Sequence, residues 1–380
     1  MWEKLCDKEN IHNPRDRVLV QRAYTTLMNN IYPSNGEFLW SPYRCISPGK
    51  NGFPGVWNWD TAFHAVGVSR WDTELAKENI IGFFEFQKEN GMLPDVIFES
   101  GKRVDTLSKP PVFAWATEVV YKRDRELAFL KQMYPKLVLN TEWWEKERCS
   151  EGLFRYDASE PESEDYLKRV KWESGWDNSP RWDRGITKYW AIDLNCFMVM
   201  CYNSLSFISK ELCLDAEAEK WLEKSHRLAL LINQKMWSEK GYYSDTDRFT
   251  GEISSVLSPA SFMPLYVGIA SPKQAECMSL IAEDKNKFDC KMPTVSFDNP
   301  GFDNDYWRGP TWLNVAYFAA KGLKNYGFDV ADKIKESILE ICHNEKKAIF
   351  ENYNSRTGEG QGCAGFSWSS VFIMEFIFDF

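Results

Sequence analysis

Apolar residues recur at i, i+3, i+4 and i+7 in about twelve segments of the chain, and no convincing run alternates with period two. The pattern predicts an all-α protein with helices near 14–32, 59–69, 73–90, 111–122, 124–147, 191–211, 215–237, 258–268, 272–284, 310–326, 329–345 and 365–378. Cap signals support several ends. Ser271-Pro272-Lys273-Gln274 joins an N-cap serine, a proline at the first helical position and a glutamine placed to close a capping box. Gly327 followed by Asp329 reads as a helix stop and a new N-cap.

Two kinds of helix alternate. Segments 124–147, 215–237 and 329–345 are amphipathic and rich in Lys and Glu, as expected with one face in water. Segments 191–211, 310–326 and 365–378 are apolar nearly all round and should be buried on every side. The links alternate too. Those after apolar helices are short (70–72, 123, 212–214, 269–271, 327–328). Those after charged helices (33–58, 91–110, 148–190, 285–309, 346–364) are long and rich in Trp, Gly, Pro, Asp and Glu. Twelve antiparallel helices closed into two concentric rings of six, an (α/α)6 barrel, would put every long link on one face. Long aperiodic links are usually functional or disordered, and these are too aromatic for disorder. The whole chain, 1–380, is expected to form a single catalytic domain of this kind.

Composition narrows the function. The 17 Trp, 16 Tyr and 25 Phe exceed ordinary needs, and flat rings with polar tips suit a carbohydrate groove as well as a large aromatic core. A net charge of -9 disfavours nucleic acid and anionic membrane surfaces, both of which need a basic face. Ten scattered cysteines without a C-x-x-C pair suggest free thiols in a reducing compartment. The start MWEKLCDKENIH lacks the apolar core of a signal peptide, so the expected location is the cytoplasm. His12, His64, His226 and His343 lie far apart, and neither a metal site nor a cofactor is expected.

Glycosidic hydrolysis needs a carboxylic acid to protonate the leaving oxygen and a carboxylate to activate water or attack carbon. In Glu173-Ser-Gly-Trp-Asp177-Asn-Ser-Pro-Arg-Trp182, Asp177 stands between tryptophans, with Gly175 and Pro180 constraining the backbone. A partly apolar pocket raises a carboxyl pKa, as a general acid at neutral pH requires. The second carboxylate lies in Phe350-Glu351-Asn-Tyr-Asn-Ser-Arg-Thr-Gly-Glu359-Gly-Gln361-Gly, where polar side chains and backbone amides could keep it ionised. Residue chemistry does not separate Glu351 from Glu359. Trp57-Asn-Trp59-Asp60-Thr-Ala-Phe63 and Asp305-Tyr306-Trp307-Arg308-Gly-Pro-Thr-Trp312 set aromatics beside charged groups at the starts of apolar helices, as sugar platforms or as core anchors.

GVWNWDTAF, ESGWDNSPRW, YWRGPTW and FENYNSRTGEGQG...FSW, in this order over residues 57 to 368, resemble the signatures of glycoside hydrolase family 63. They resemble the trehalases of the same clan more distantly. The resemblance implies an (α/α)6 domain that cleaves an α-linked sugar with inversion and without metal. It puts Asp177 in the general-acid place and Glu351, not Glu359, in the general-base place. It also implies that Trp59, Asp60, Tyr306, Trp307 and Arg308 line the non-reducing sugar subsite. Trp57, Lys109, Gly175, Trp176, Arg181, Gln361 and Trp368 join the expected substrate-binding set.

The chain departs from trehalases in KNGFPGVWNWD, which lacks their glycine- and arginine-rich stretch, and in EPESEDY (160–166), which lacks an arginine. It resembles instead the compact mannosylglycerate or glucosylglycerate hydrolases, without the N-terminal β-rich domain of larger members. The expected substrate is therefore a small α-glucoside, a glycosylglycerate or a short α-gluco-oligosaccharide. Related enzymes show S/T-Q-P-P where this chain has Ser108-Lys109-Pro110-Pro111. Lys109 would then either meet an anionic aglycone or pair with Asp105 or Glu99. A catalytically silent carbohydrate-binding barrel would keep the tryptophans without needing both carboxylates, and a purely structural toroid would need neither.

Overall fold

Each periodic segment folds as a helix or a helical turn in a computed structural model that describes residues 1–34, 41–158 and 169–380. The helices are α1 (Trp2–Lys8), α2 (Pro14–Asn29), α3 (Asn58–Val68), α4 (Thr73–Phe84), α5 (Phe113–Asp124), α6 (Leu127–Arg148) and α7 (Ile192–Glu211). They continue as α8 (Asp215–Lys235), α9 (Met263–Tyr266), α10 (Pro272–Glu283), α11 (Leu313–Asn325), α12 (Val330–Asn344) and α13 (Ser367–Phe378). The capping box at Ser271 forms with both hydrogen bonds. Asp329 takes the N-cap of α12 without a side-chain bond, while Gly327 turns the chain at φ +80°.

Burial sorts the helices into two rings. α3 is buried along its whole length and α13 from Ser367 to Ile377, whereas α12 buries only the stripe Val330, Ala331, Ile334, Ile338, Leu339, Cys342 and His343. The inner ring runs α3, α5, α7, α9, α11, α13 and closes with α13 against α3. Outside it, α4 packs on α3, α6 on α5, α8 on α7, α12 on α11 and α2 on α13. This is the (α/α)6 barrel. Short connections (69–72, 125–126, 212–214, 267–271, 326–329) alternate with long ones, which include 236–258, a link absent from the sequence reading.

The structure corrects four expectations. α1 was not foreseen. The segment 258–268 is mostly a 3-10 turn, Pro259–Phe262, leading into the single turn of α9, because Pro259 and Pro264 each remove a donor. The helix expected from 310 starts after Trp312, since Pro310 and Thr311 belong to the preceding link. The long links also carry short antiparallel strands. β1 (Gly55–Trp57), β2 (Val96–Phe98) and β3 (Arg103–Val104) form one sheet, and β4 (Phe350–Tyr353) pairs with β5 (Gly360–Ala364). At two to five residues they are too short to show an alternating pattern. The EPESEDY segment lies outside the described residues. No helix among the described residues is long and apolar enough to cross a membrane.

Candidate active site

Five of the long links and the first turns of α3 and α13 converge on a cavity of about 230 Å³. That is below the roughly 300–1,000 Å³ of sites for drug-sized ligands, and it suits one sugar ring. Its wall is largely indole. Trp307 stacks on Trp312 with centroids 3.9 Å apart, and Trp368 lies 5.4 Å from both Trp59 and Trp312. Trp57, Phe53 and Phe98 close the side made by β1 and β2. The indole nitrogen of Trp368 is buried with no hydrogen-bond partner among the described residues.

Asp177 reaches the cavity because its loop passes directly under Trp59. Gly175 has φ +73°, and a Cβ there would stand 2.4 Å from the Trp59 ring, so only glycine allows the approach. Glu173 anchors the loop from below. Its carboxylate receives Arg148 Nε and Nη2 at 2.9 Å each and the amides of Ser108 (3.2 Å) and Asp157 (2.7 Å). Above, the Tyr306 hydroxyl donates to Asp177 Oδ2 at 3.3 Å, while Oδ1 has no hydrogen-bond partner among the described residues. Tyr306 holds φ +49°, a costly conformation for a bulky residue, and Asn178 supports it by accepting from the Trp307 amide at 2.8 Å. Burial raises the Asp177 pKa, with Lys109 and the Tyr306 hydroxyl opposing.

Glu351 enters from the opposite side on the β4–β5 hairpin. The register shifts between Phe350 and Asn352, an irregularity of the kind that re-aims a side chain. Its Oε2 accepts the Cys363 amide at 2.9 Å, and a Cβ on Gly362 would come within 2.5 Å of the same oxygen. Burial pushes the Glu351 carboxyl up to about 7, with the Cys363 amide opposing and the Asp177 charge adding to the rise. Glu359 is exposed at the hairpin turn, away from the cavity. Burial thus separates two carboxylates that local sequence left equivalent.

Asp60, Asp95 and Lys109 complete the polar lining. Burial pushes Asp60 to about 8 and Asp95 to about 6, with Lys109 opposing both rises. Burial alone would lower the Lys109 pKa; the charges of Asp95 and Asp177 outweigh it, and the ammonium stays protonated. Lys109 pairs with neither Asp105 nor Glu99. Asp105 stands 3.4 Å from both Lys88 and Arg103, and Glu99 accepts from the Tyr32 hydroxyl. The partners of Lys109 are Asp95, at 3.3 Å, and the Trp172 carbonyl.

Of the expected binding set, Trp57, Trp59, Asp60, Lys109, Gly175, Tyr306, Trp307 and Trp368 line the cavity. Four residues do not. Trp176 lies behind the wall, 4.9 Å from Trp307 and under the Arg181 guanidinium. Arg181 is wholly buried between Asp193 and Asp245 and pins the acid loop to α7, with Nη2 to oxygen distances of 2.7 and 2.8 Å. Arg308 turns outward to Asp183 in a two-bonded pair of 2.8 and 2.9 Å. Gln361 stands opposite Asn352 in the hairpin, beside Glu351 rather than in the cavity. Sequence reasoning missed Asp95, Phe53, Phe98 and Trp172. Asp95 had one usable signal, an acidic residue in the same link as Lys109 and directly after Pro94.

Among the described residues, one group of three carboxylates outside the cavity could face a common cation, Glu74, Asp124 and Glu126 on the barrel exterior. The Lys77 ammonium already sits among them, 3.0 Å from Glu74 and 2.6 Å from Asp124.

Residues 53–369 match the family model described as the mannosylglycerate hydrolase MGH1-like glycoside hydrolase domain. The chain is 26% identical to the mannosylglycerate hydrolase of Thermus thermophilus, over 86% of this chain and 95% of that one. It is 24% identical to the mannosylglycerate hydrolase of Rubrobacter radiotolerans, over 90% and 95%. A solved family 63 mannosylglycerate hydrolase from Thermus thermophilus, in complex with glucose, superposes with a TM-score of 0.78 at 25% identity, covering 94% of this chain and 99% of that one. The neutral trehalase of Saccharomyces cerevisiae shares the fold, with a TM-score of 0.72 at 17% identity over 88% and 73%.

Proposed function

We propose, from the premise that this chain belongs to the mannosylglycerate hydrolase MGH1-like glycoside hydrolases, that it removes a single α-linked glucose or mannose from a small polar aglycone such as glycerate. Asp177 acts as general acid and Glu351 as general base, and the anomeric configuration inverts. The observation that carries this reading is two carboxyls, the half-buried Asp177 on the acid loop and the buried Glu351 on the β4–β5 hairpin, lining one indole-walled cavity sized for a single ring. Trp59, Trp307 and Trp368 supply faces for the sugar C–H surface, and Asp60 offers a hydrogen-bonding carboxyl. The whole chain is taken as one catalytic domain. Its ten unpaired thiols fit a reducing compartment such as the cytoplasm.

In the reacting arrangement Asp177 carries a proton to the leaving oxygen while Glu351 withdraws one from a water on the opposite face of the ring. α-Mannosylglycerate and α-glucosylglycerate, followed by proton NMR, should release the β-anomer first, with the α-anomer appearing only through mutarotation. An initial α-product would contradict the assigned roles.

Catalysis requires one proton on the pair, held by Asp177 with Glu351 ionised. Interacting carboxyls titrate in steps that belong to both. Both lie above the usual carboxylate range of about 4, so the bell of kcat/KM against pH should be displaced upward. Activity falls on the acid side as the pair gains its second proton and on the alkaline side as it loses its last, both steps being displaced upward by burial. An acid limb near about 4, the value of a solvated carboxylate, would show that burial does not govern the base.

A further inference from the structure

Lys109 is a cation placed where a neutral ring is expected to bind. It is 7% exposed and its partner Asp95 8%, and both open onto the cavity beside Asp60, Asp177 and Glu351. Their backbones are fixed. The Asp95 amide donates to the Val104 carbonyl at 2.8 Å, and its own carbonyl accepts the Asn58 amide at 2.9 Å. The amide of Ser108 is held by Glu173, and Pro110 and Pro111 stiffen the chain beyond Lys109.

The pair leaves hydrogen-bonding capacity unused. An ammonium has three donors, and one goes to the Trp172 carbonyl. Asp95 Oδ1 lies 3.3 Å from the ammonium, out of line for a well-formed hydrogen bond, and is buried with no other partner among the described residues. Unsatisfied buried polar atoms are costly, and a ligand that completes them gains what the empty site lacks. Asp95 already offsets the charge of this one cation and the ionised Glu351 adds a negative charge to the same cavity, so a uronate or phosphate on the ring would be repelled.

We infer that the Asp95–Lys109 ion pair is the element that selects the glycon, with Lys109 donating to one hydroxyl and Asp95 accepting from its neighbour on an uncharged pyranose. This rests on the reading of the cavity as a sugar subsite. Adjacent ring hydroxyls present an acceptor and a donor side by side, matching a lysine and a carboxylate held in contact. A site built to bond a hydroxyl discriminates steeply against the analogue lacking it, because its buried groups are then left unpaired.

The test compares wild type, K109Q, D95N and the K109Q/D95N double variant on D-glucose, D-mannose, their 2-, 3-, 4- and 6-deoxy forms and D-glucuronic acid. Binding is read by calorimetry, and kcat/KM on the corresponding α-glycosides. Wild type should lose at least about a hundredfold in kcat/KM when either of two adjacent hydroxyls is removed, and should not bind the uronic acid. In K109Q the discrimination at the hydroxyl that Lys109 bonds, and in D95N that at the hydroxyl Asp95 bonds, should shrink to under about threefold, because the charged partner of that hydroxyl is gone. The double variant, which buries no lone charge, controls for folding. Variants that lose activity equally on parent and deoxy substrates, or a uronic acid bound better than glucose, would overturn the inference. Sugar binding and discrimination without hydrolysis would sink the proposed activity and leave this inference standing. Hydrolysis whose discrimination survives both substitutions would sink this inference alone, and neither binding nor hydrolysis would sink both.

Discussion

Asp177→Asn is expected to lower kcat on glycosides of glycerate and other alkyl aglycones by about two to four orders of magnitude, the range one positioned proton donor contributes. Asparagine is close in shape and keeps the Tyr306 contact, so thermal unfolding should be nearly unchanged. The defect should depend on the leaving group. An alkoxide needs its proton as the bond breaks, whereas 2,4-dinitrophenolate or fluoride departs without one, and on such substrates most of the loss should vanish. A uniform loss across leaving groups would mean that Asp177 binds the sugar rather than protonating the aglycone.

Glu351→Gln should be as severely impaired, by about two to four orders of magnitude, but on every leaving group alike, because water must be activated whatever departs. Glu359→Gln should fall within about twofold of wild type, since an exposed surface group away from the cavity has little to lose. The reverse ranking would move the base to the hairpin turn. The Glu351 variant should also lose the acid limb of its pH profile, which a merely structural role would not remove.

The helical frame was legible because burial on every side and burial on one stripe leave different periodic traces, and link lengths betray which ends share a face. Asp177 was legible for a similar reason: a carboxyl among tryptophans and a glycine already describes its environment. What could not be read were pairings between residues remote in sequence. Arg181 and Arg308 sit in aromatic-rich motifs that look like sugar platforms, yet Asp193, Asp245 and Asp183 take their guanidiniums. Lys109 was singled out correctly as unusual, but its partner was sought at Asp105 and Glu99, whereas β2 and β3 bring Asp95 beside it. Residue chemistry alone left Glu351 and Glu359 open and only the family resemblance chose between them, because the two stand on neighbouring strand and turn with similar neighbours; the hairpin buries the first and exposes the second.

The closure of the inner ring has a consequence for rebuilding the molecule. Arg70 stands 3.6 Å from Glu9 and 2.7 Å from Glu375, so stretches near the two ends of the sequence meet on one guanidinium. Packing around the ring therefore marks no hairpin as the first. A circular permutant joined across that meeting place and opened at 212–214 or 326–329 would place its new termini on the face opposite the chemistry, with every rim link uncut.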